Sequence, residues 1–406
     1  MSGSKSSAVS ALIYNPTFRS VVFQVSLIVF FIWFIWWIGN NTLSNLAAQG
    51  KTLGFRFLTE PANFQILNTI GTWVFDYQVG KSTFLDVYFI GIVNTFTVAF
   101  SGILAATVIG FTIGIMRLSS NFILRGFATV YIEVLRNLPL LLQLFFWYFA
   151  VLRALPGKRE RVTFFGESFG INITGLYMPQ PIAEAGFSAT AYAFAASCLA
   201  AWGISRWARK RQERTGQQFP AFWTGLGVII IATLLVFLVS GSPMYFEFPE
   251  FKQTGPILRR GYQTGVGMSI PPEMVAVWLA LTLYTASFIA EIVRAGILAV
   301  NYGQTEASQA LGLRQGTALR LVIIPQALRV IVPPLTSQYL NLTKNSSLSV
   351  AIAYPELVSV FAGTALNQVG KEIEMIFMMM MVYLTFSLLT SAFMNWFNSR
   401  VKLVER

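Results

Sequence analysis

The chain alternates between long apolar runs and short polar breaks. Several runs approach the roughly 20 residues that a helix needs to cross about 30 Å of hydrocarbon. The first, from Val21 to Gly39, has no charged residue, and it is longer than the apolar core of a signal peptide, so we expect it to be retained as a span. The pattern predicts an all-α, polytopic membrane protein with eight spans, at about 21–39, 88–116, 127–152, 188–206, 221–241, 272–298, 328–353 and 374–397.

The composition supports this class of protein and narrows its chemistry. Hydrophobic residues make up 55% of the chain and charged residues 11%, against about 25% charged in soluble proteins. Without histidine, and with the single cysteine Cys198, zinc, haem and redox sites are poorly supported, and we expect no cofactor and no metal in this chain. The net charge of +12 comes from residues beside the spans, which indicates membrane topology rather than a nucleic-acid partner.

The basic residues also indicate an orientation. An even number of spans places both termini on one side of the membrane, and basic residues near each end favour the cytoplasm. The basic loop 206–211 then lies inside as well, whereas the loop that holds Arg153, Lys158, Arg159 and Arg161 lies outside, against the rule. The terminal residues in question are Lys5, Arg19, Arg400, Lys402 and Arg406.

A short amphipathic stretch between the sixth and seventh spans predicts a helix-turn-helix elbow. Thr305 can cap a first helix that Gly312 ends, because glycine terminates helices without a Cβ penalty. Thr317 can start a second helix that Pro325 stops. Such an elbow is where a membrane protein would bind a soluble partner. The stretch could also be an ordinary interfacial turn.

The seventh span is too polar to face lipid on all sides. Gln338, Asn341 and Asn345 recur at helical spacing, and Lys344 lies between the last two. The stripe could line a water-filled route, form an interface with another subunit, or bond neighbouring helices of the same chain.

Two pairs of opposite charge lie three positions apart within spans. Glu133 and Arg136 share one helix face, as do Glu291 and Arg294, so both are predicted to be structural ion pairs. Arg136 is followed by Pro139, which frees a backbone carbonyl near Arg136 and can kink the third span.

The elbow resembles the Glu-Ala-Ala loop of ATP-binding-cassette (ABC) importer permeases. The matching positions are Glu306, Ala307, Ala310, Gly312, Val322, Ile324 and Pro325, with Ser308 where the family usually has a second alanine. Other motifs occur in the order found in the polar amino-acid permease subfamily. They are Asn94-Thr95, Tyr131-Ile132-Glu133, Arg136-Asn137-Leu138-Pro139-Leu140-Leu141, Ala290-Glu291, Arg294-Ala295-Gly296 and Lys344-Asn345-Ser346-Ser347-Leu348.

The resemblance implies a type I permease fold with a five-helix core in two parts, 88–152 and 272–406. The additional pieces are similar to those of the enlarged permeases of general L-amino-acid importers. They are an extra N-terminal helix with a periplasmic segment, 1–87, and a two-helix insertion with periplasmic loops, 153–271.

The resemblance also implies a function in the bacterial inner membrane, the import of polar or general L-amino acids. The expected partners are membrane lipid, an ABC ATPase dimer that holds ATP and Mg²⁺, a second homologous permease and a periplasmic amino-acid-binding protein. Glu306 to Gly312, followed by Pro325, would be the coupling loop that sits in a groove of the ATPase. No Walker sequence occurs in this chain, so we expect hydrolysis on a separate polypeptide.

Substrate contacts are inferred from polarity within the spans and not from the resemblance. Arg136 or Lys344 could bind the carboxylate of an amino acid, and Gln338, Asn341 or Asn345 could bind either end. The outer loops 153–187 and 242–271 could dock the binding protein or pack on each other as a cap.

Two other functions compete with this hypothesis. An ion-driven carrier or channel would need acidic residues within its spans, and the obvious ones, Glu133 and Glu291, each have an arginine three positions away. A membrane-embedded enzyme is poorly supported, because this chain has no histidine and no pair of unpartnered carboxylates to use in catalysis.

Overall fold

The computed structural model describes residues 15–254, 256, 260–263 and 265–401. The chain divides into two compact units, Met1–Leu58 and Thr59–Arg406. Lys5, Lys402 and Arg406, which contributed to the predicted orientation of the termini, lie outside the described residues.

The first unit contains one long helix, α1 (Pro16–Ala48). Asn15 caps it, since its side-chain oxygen accepts a hydrogen bond from the Thr17 N–H at 2.9 Å, and Pro16 suits the first helical position. None of the 33 residues is buried within the chain. An apolar helix of this length without a buried residue is suited to lipid. A 3₁₀ turn, Arg56–Thr59, follows it.

The second unit holds the remaining helices. These are α2 (Ile70–Val74), α3 (Phe84–Arg117), α4 (Phe122–Asn137), α5 (Leu140–Phe145), α6 (Phe187–Thr215), α7 (Ala221–Val239), α8 (Pro272–Leu298), α9 (Tyr302–Ala310), α10 (Gln315–Ala318), α11 (Ile324–Asn345), α12 (Leu366–Val369) and α13 (Glu372–Val401). Among the described residues, seven helices are long and apolar enough to cross a membrane, or eight if the bent pair α4–α5 is one span. This confirms the predicted all-α, polytopic class.

The third span bends at Pro139 as predicted, and the bend is sharp enough to divide it into two helices. Helix α4 and the helix that begins with α5 meet at 108°. Pro139 has no N–H to donate and forces Leu138 into an extended conformation, with φ −94° and ψ 130°. The side-chain amide of Gln143 donates to the Leu135 and Leu138 carbonyls at 2.8 and 3.0 Å. The Leu135 carbonyl, which the missing N–H of Pro139 leaves without its helical partner, is therefore satisfied within the break, as is the Leu138 carbonyl.

Beyond α5 the helix widens and then tightens. A π-helical segment, Phe146–Val151, is followed by a 3₁₀ turn, Leu152–Ala154.

Helices α3 and α8 pack closely at the centre of the second unit. Gly110 and Gly114 of α3 lie against Ile289 and Val293 of α8, and a Cβ added at Gly110 would lie 2.6 Å from the Ile289 Cβ. Small residues at such contacts let two membrane helices approach backbone to backbone. This pair forms the core on which α4 and α11 pack.

The two predicted outer loops contain short strands. They are β1 (Val162–Phe164), β2 (Phe169–Asn172), β3 (Gly175–Met178), β4 (Gln180–Ala183), β5 (Met244–Glu247), β6 (Phe251–Lys252), β7 (Gly261–Tyr262) and β8 (Met268–Ile270). The sheet order is β1-β2-β3-β8, with separate antiparallel pairs β4-β5 and β6-β7. Because β3 pairs with β8 and β4 with β5, the two loops are hydrogen-bonded to each other. Pairing between the loops is the contact expected of a cap, and docking of a binding protein on their outer surface stays a prediction.

The strands define two ends of the second unit. Helices α6 and α8 begin directly after β4 and β8, and α7 runs back to β5. The opposite ends of these helices, together with α9, therefore lie on the other side of the membrane. We call the two sides the strand side and the elbow side.

Pro325 does not stop a helix as predicted. A π-helical turn, Leu319–Ile323, joins α10 to α11, and Pro325 lies in the first turn of α11. A π turn shifts the hydrogen-bond pattern, so it can accommodate a proline that has no N–H to donate. The segment Gln315–Ile352 is consequently one span-length element, which ends in a 3₁₀ segment, Ser346–Ile352.

One further helix has no counterpart among the predicted spans. After Ala353, which has a φ of 58°, the chain forms a π-helical segment, Val358–Ala365, that continues into α12. This short helix lies between the last two predicted spans.

Candidate functional site

The elbow is formed by α9, a turn and the start of α10. Asn301 caps α9 by accepting a hydrogen bond from the Gly303 N–H at 2.8 Å. Thr305, the predicted cap, lies inside the helix, because Asn301 provides a cap one turn earlier. The second helix likewise begins at Gln315 and not at Thr317.

Gly312 ends α9 as predicted. Its φ of +73° is in the left-handed region that glycine adopts without strain. The Leu313 N–H donates to the Ser308 carbonyl at 3.0 Å, and the Gly312 N–H donates to the Gln309 carbonyl at 2.8 Å. These two bonds constitute a Schellman motif, which fixes the direction in which the chain leaves the helix.

The residues of α9 divide into an inner and an outer face. Ser308 is buried, and its hydroxyl donates to the Gln304 carbonyl at 2.6 Å. This explains why the position where the related loops have alanine needs a small residue. Glu306, Ala307 and Ala310 are exposed, and Glu306 forms no ion pair with any residue that the structure describes. The elbow therefore presents a small, shallow surface that carries one unneutralised carboxylate.

The elbow is connected to the long helix behind it. The side chain of Gln326 on α11 donates to the side-chain oxygen of Gln304 on α9 at 3.1 Å. Helix α10 runs into α11 through the π-helical turn without a break, so the elbow and α11 are also joined through the backbone.

The polar stripe of the seventh span lies on α11, on the side away from the core. Leu335 and Leu342 face inward and are buried. Asn341 and Lys344 are exposed, and Gln338 and Asn345 are partly exposed. None of these four side chains forms a hydrogen bond or ion pair with another described residue. Within the described part of the chain the stripe therefore does not join helices to one another, and a pathway or a subunit interface stays the prediction.

The predicted ion pairs are rearranged. Arg294 and Glu291 are paired, at 2.6 Å between guanidinium nitrogen and carboxylate oxygen. Glu133 and Arg136, both described, are not paired with each other. Glu133 instead lies 3.1 Å from Arg117, which also contacts Glu291. Arg117 ends α3 between α4 and α8, so it reaches both carboxylates, a contact that spacing within one helix could not reveal.

Arg136 has a different neighbour. Its guanidinium lies 5.2 Å from the ring centre of Phe288 on α8, and the residue is exposed next to the Pro139 break. A cation over an aromatic face is stabilised without a carboxylate. Arg136 thus remains accessible, and a role in binding substrate stays a prediction.

The structure also contains a buried polar cluster that was not predicted from the sequence. Glu356 is fully buried; its carboxylate accepts hydrogen bonds from the Val358 and Ser359 N–H groups, each at 2.9 Å, and from the Tyr383 hydroxyl at 3.0 Å. Thr95 accepts a bond from the Leu357 N–H at 3.1 Å. Glu356 lies between predicted spans, so the search for polar residues within spans could not identify it. The Asn94-Thr95 motif was the one sequence signal that pointed to this cluster.

Similarity to known proteins identifies the family of this chain. Residues 213–403 match the family described as binding-protein-dependent transport system inner membrane component. The chain is 48% identical to the General L-amino acid transport system permease protein AapQ of Rhizobium johnstonii, over 97% of this chain and 94% of the relative. The chain belongs to this permease family.

Other relatives also match over nearly their full length. The chain is 47% identical to the Putative amino-acid ABC transporter permease protein YhdX of Escherichia coli, over 97% of this chain and 96% of the relative. It is 37% identical to the Glutamate/glutamine/aspartate/asparagine transport system permease protein BztB of Rhodobacter capsulatus, over 98% and 97%.

Membership of the permease family decides several expectations. The chain is a multi-pass inner-membrane component of an ABC transporter, and the family implies an ATPase and a periplasmic binding protein as partners. The permease hypothesis is favoured over an ion-driven carrier, channel or membrane enzyme. The division into 1–87, 88–152, 153–271 and 272–406 stays a prediction, since the matched region begins within α6.

Proposed function

We propose that this permease is one of two membrane subunits of an importer for L-amino acids, moved by ATP hydrolysis on a partner ATPase. The exposed elbow carries the proposal. It offers an unneutralised Glu306 and two small residues, Ala307 and Ala310, that permit close contact, and its shape is fixed by the Schellman motif at Gly312. A surface of this kind fits a groove in a soluble protein that supplies a positive charge or a helix N-terminus.

The connection from the elbow to the membrane supplies a mechanism. The Gln304–Gln326 hydrogen bond and the continuous element Gln315–Ile352 couple α9 to the polar stripe. In this proposal ATP and Mg²⁺ bind to the ATPase and not to this chain. When the ATPase closes on ATP and Mg²⁺, the ATPase moves the elbow. The movement then reorients Gln338, Asn341, Lys344 and Asn345.

A second permease subunit is supported by the exposure of that stripe. Amide and ammonium groups are costly in contact with lipid unless they face water or another protein. In this chain they face outward from the core, on the side opposite Leu335 and Leu342. A homologous partner placed against α11 would enclose the stripe in a pathway between the two subunits.

The substrate class is supported by the names of the relatives, which are permeases for amino acids. A pathway for a zwitterion needs groups that replace the hydration of both charges. Lys344 or Arg136 would bind the carboxylate, and the three amides would bind either end. Import by this route also requires the elbow side to be the cytoplasmic side, with both termini there, and the strand side to receive the binding protein.

The test is co-purification followed by transport. The tagged permease, expressed with its partner subunits, should retain the ATPase, and Glu306→Lys should abolish that retention and the coupled uptake of amino acids in liposomes. Glu213→Lys on α6 is a matched control, because it reverses an exposed carboxylate elsewhere on the elbow side. Retention of the ATPase by Glu306→Lys, or uphill transport by the chain alone, would overturn the proposal.

A further inference from the structure

Helix α6 is longer than a membrane span. Its 29 residues extend about 43 Å at 1.5 Å per residue, whereas the hydrocarbon layer is about 30 Å thick. The helix begins at the strand side, so the excess length, roughly Arg206–Thr215, projects on the elbow side. This is the depth at which lipid headgroups lie.

A row of cationic side chains follows this projecting end. Trp202, Arg206, Lys210 and Arg214 recur every four residues, so they form one continuous ridge on the helix. We call these four residues the basic ridge. All four are exposed.

The other cations of α6 are already occupied. Arg209 pairs with Glu213 at 3.4 Å. Arg211 donates to the side-chain oxygen of Gln217 at 3.0 Å and lies 5.4 Å from the ring centre of Trp207. Arg209 and Arg211 are therefore already engaged by other groups of the same chain.

The ridge itself pairs with no carboxylate among the described residues. Arg206 lies 4.1 Å from the ring centre of Trp202, and neither Lys210 nor Arg214 forms an ion pair or side-chain hydrogen bond with any residue in the described part of the chain. Three adjacent cations without carboxylates repel one another, so an external anion would stabilise them.

We propose that the basic ridge binds the headgroups of anionic phospholipids in the leaflet on the elbow side. Tryptophan is favoured at the boundary between hydrocarbon and headgroups, and here it precedes the three cations along the helix axis. Helix α7 returns to the membrane beside this end, with Gly225 against Ala201, so its exposed Phe222 and Trp223 add two aromatic rings near the level of Trp202. Guanidinium and ammonium groups match the phosphate oxygens of a headgroup.

The experiment uses the permease assembled with its partner subunits, held in nanodiscs. Binding of fluorescent phosphatidylglycerol is measured against fluorescent phosphatidylcholine for the natural chain and for Lys210→Gln/Arg214→Gln. Neither side chain packs in the core, so this variant should fold. Lys158→Gln/Arg159→Gln is the matched control, which removes two exposed cations from the strand side.

We expect the ridge variant to lose about fivefold in phosphatidylglycerol affinity for each cation removed, with phosphatidylcholine unaffected. The control should bind as the natural chain does, and inorganic phosphate at equal concentration should not displace the lipid. Unchanged lipid binding by the ridge variant, or an equal loss in the control, would overturn the proposal. So would loss of the ATPase from the ridge variant, because the ridge would then be a protein contact.

Discussion

The side-chain amide nitrogen of Asn94 lies 2.7 Å from the carbonyl oxygen of Pro355, which is 261 positions later in the chain. The side-chain oxygen of the same residue accepts a hydrogen bond from the Gly71 N–H at 2.9 Å. One fully buried amide on α3 therefore holds both α2 and the turn that leads to the short helix 358–369. Asparagine is unusual in an apolar span, and its presence here is explained by the two backbone groups whose hydrogen bonds it satisfies.

Replacing Asn94 by leucine should destabilise the protein by about 3 kcal/mol. It leaves a buried N–H and a buried carbonyl without partners, and each such group costs roughly 1–3 kcal/mol. Unfolding of the purified permease in mixed micelles measures the change. Asn341→Leu serves as the control, since Asn341 is exposed and has no partner among the described residues; equal losses in both variants would contradict the role assigned to Asn94.

Glu356 should stabilise the short helix more than its tyrosine partner does. Glu356→Leu leaves the Val358 and Ser359 N–H groups unpaired together with the Tyr383 hydroxyl, whereas Tyr383→Phe removes one bond out of three. We expect losses of roughly 4 and 1 kcal/mol in unfolding free energy. Hydrogen exchange of the amides in 358–369 should accelerate strongly only in Glu356→Leu, and the reverse order would refute the capping role.

The contact between α3 and α8 should not tolerate a side chain at Gly110. Gly110→Leu would force the two backbones apart at Ile289, at an expected cost of about 3 kcal/mol. Gly126→Leu on α4 is a suitable comparison, because a Cβ there meets no heavy atom within 4 Å. Thermal unfolding in detergent should distinguish the two, and comparable melting temperatures would mean that the close contact is not required.

Arg117 should couple more strongly to Glu291 than to Glu133. Both carboxylates contact its guanidinium, but the side chain of Glu133 is 56% exposed and that of Glu291 23%. Water weakens the exposed pair, so double-mutant cycles with glutamine should give coupling free energies that differ by about 1 kcal/mol. A coupling between Glu133 and Arg136 larger than either would restore the pairing predicted from spacing.

Substitutions in the polar stripe should alter transport and leave folding intact. We expect Asn341→Leu and Lys344→Met to lower the rate of amino-acid uptake at least tenfold or to change selectivity, because neither side chain has a structural partner among the described residues. Uptake by the reconstituted importer is the measurement, and Val330→Met, an exposed apolar position on the same helix, is the control. Unchanged rate and selectivity in both stripe variants would show that other residues line the pathway.

The charged residues show which ion pairs can be predicted from spacing within a helix and which cannot. Glu291 and Arg294 lie three positions apart on α8, so their pairing follows from helix geometry. Glu133 and Arg136 have the same spacing, but the end of α3 places Arg117 within reach of Glu133. Which of two available cations a carboxylate meets depends on how separate helices pack, and no spacing within one helix contains that information.

Features that depend on residues close together in the chain could be predicted from the sequence. Run length against the thickness of hydrocarbon located the spans, Gly312 located the end of the elbow helix, and Pro139 located a disturbance in the third span. Other features depend on how distant segments pack. Packing sets the 108° break, joins two remote loops through β3 and β8, and buries Asn94 and Glu356 against distant backbone groups. A polar group buried in a membrane protein must be satisfied by whichever group packing brings beside it, and that neighbour can lie anywhere along the chain.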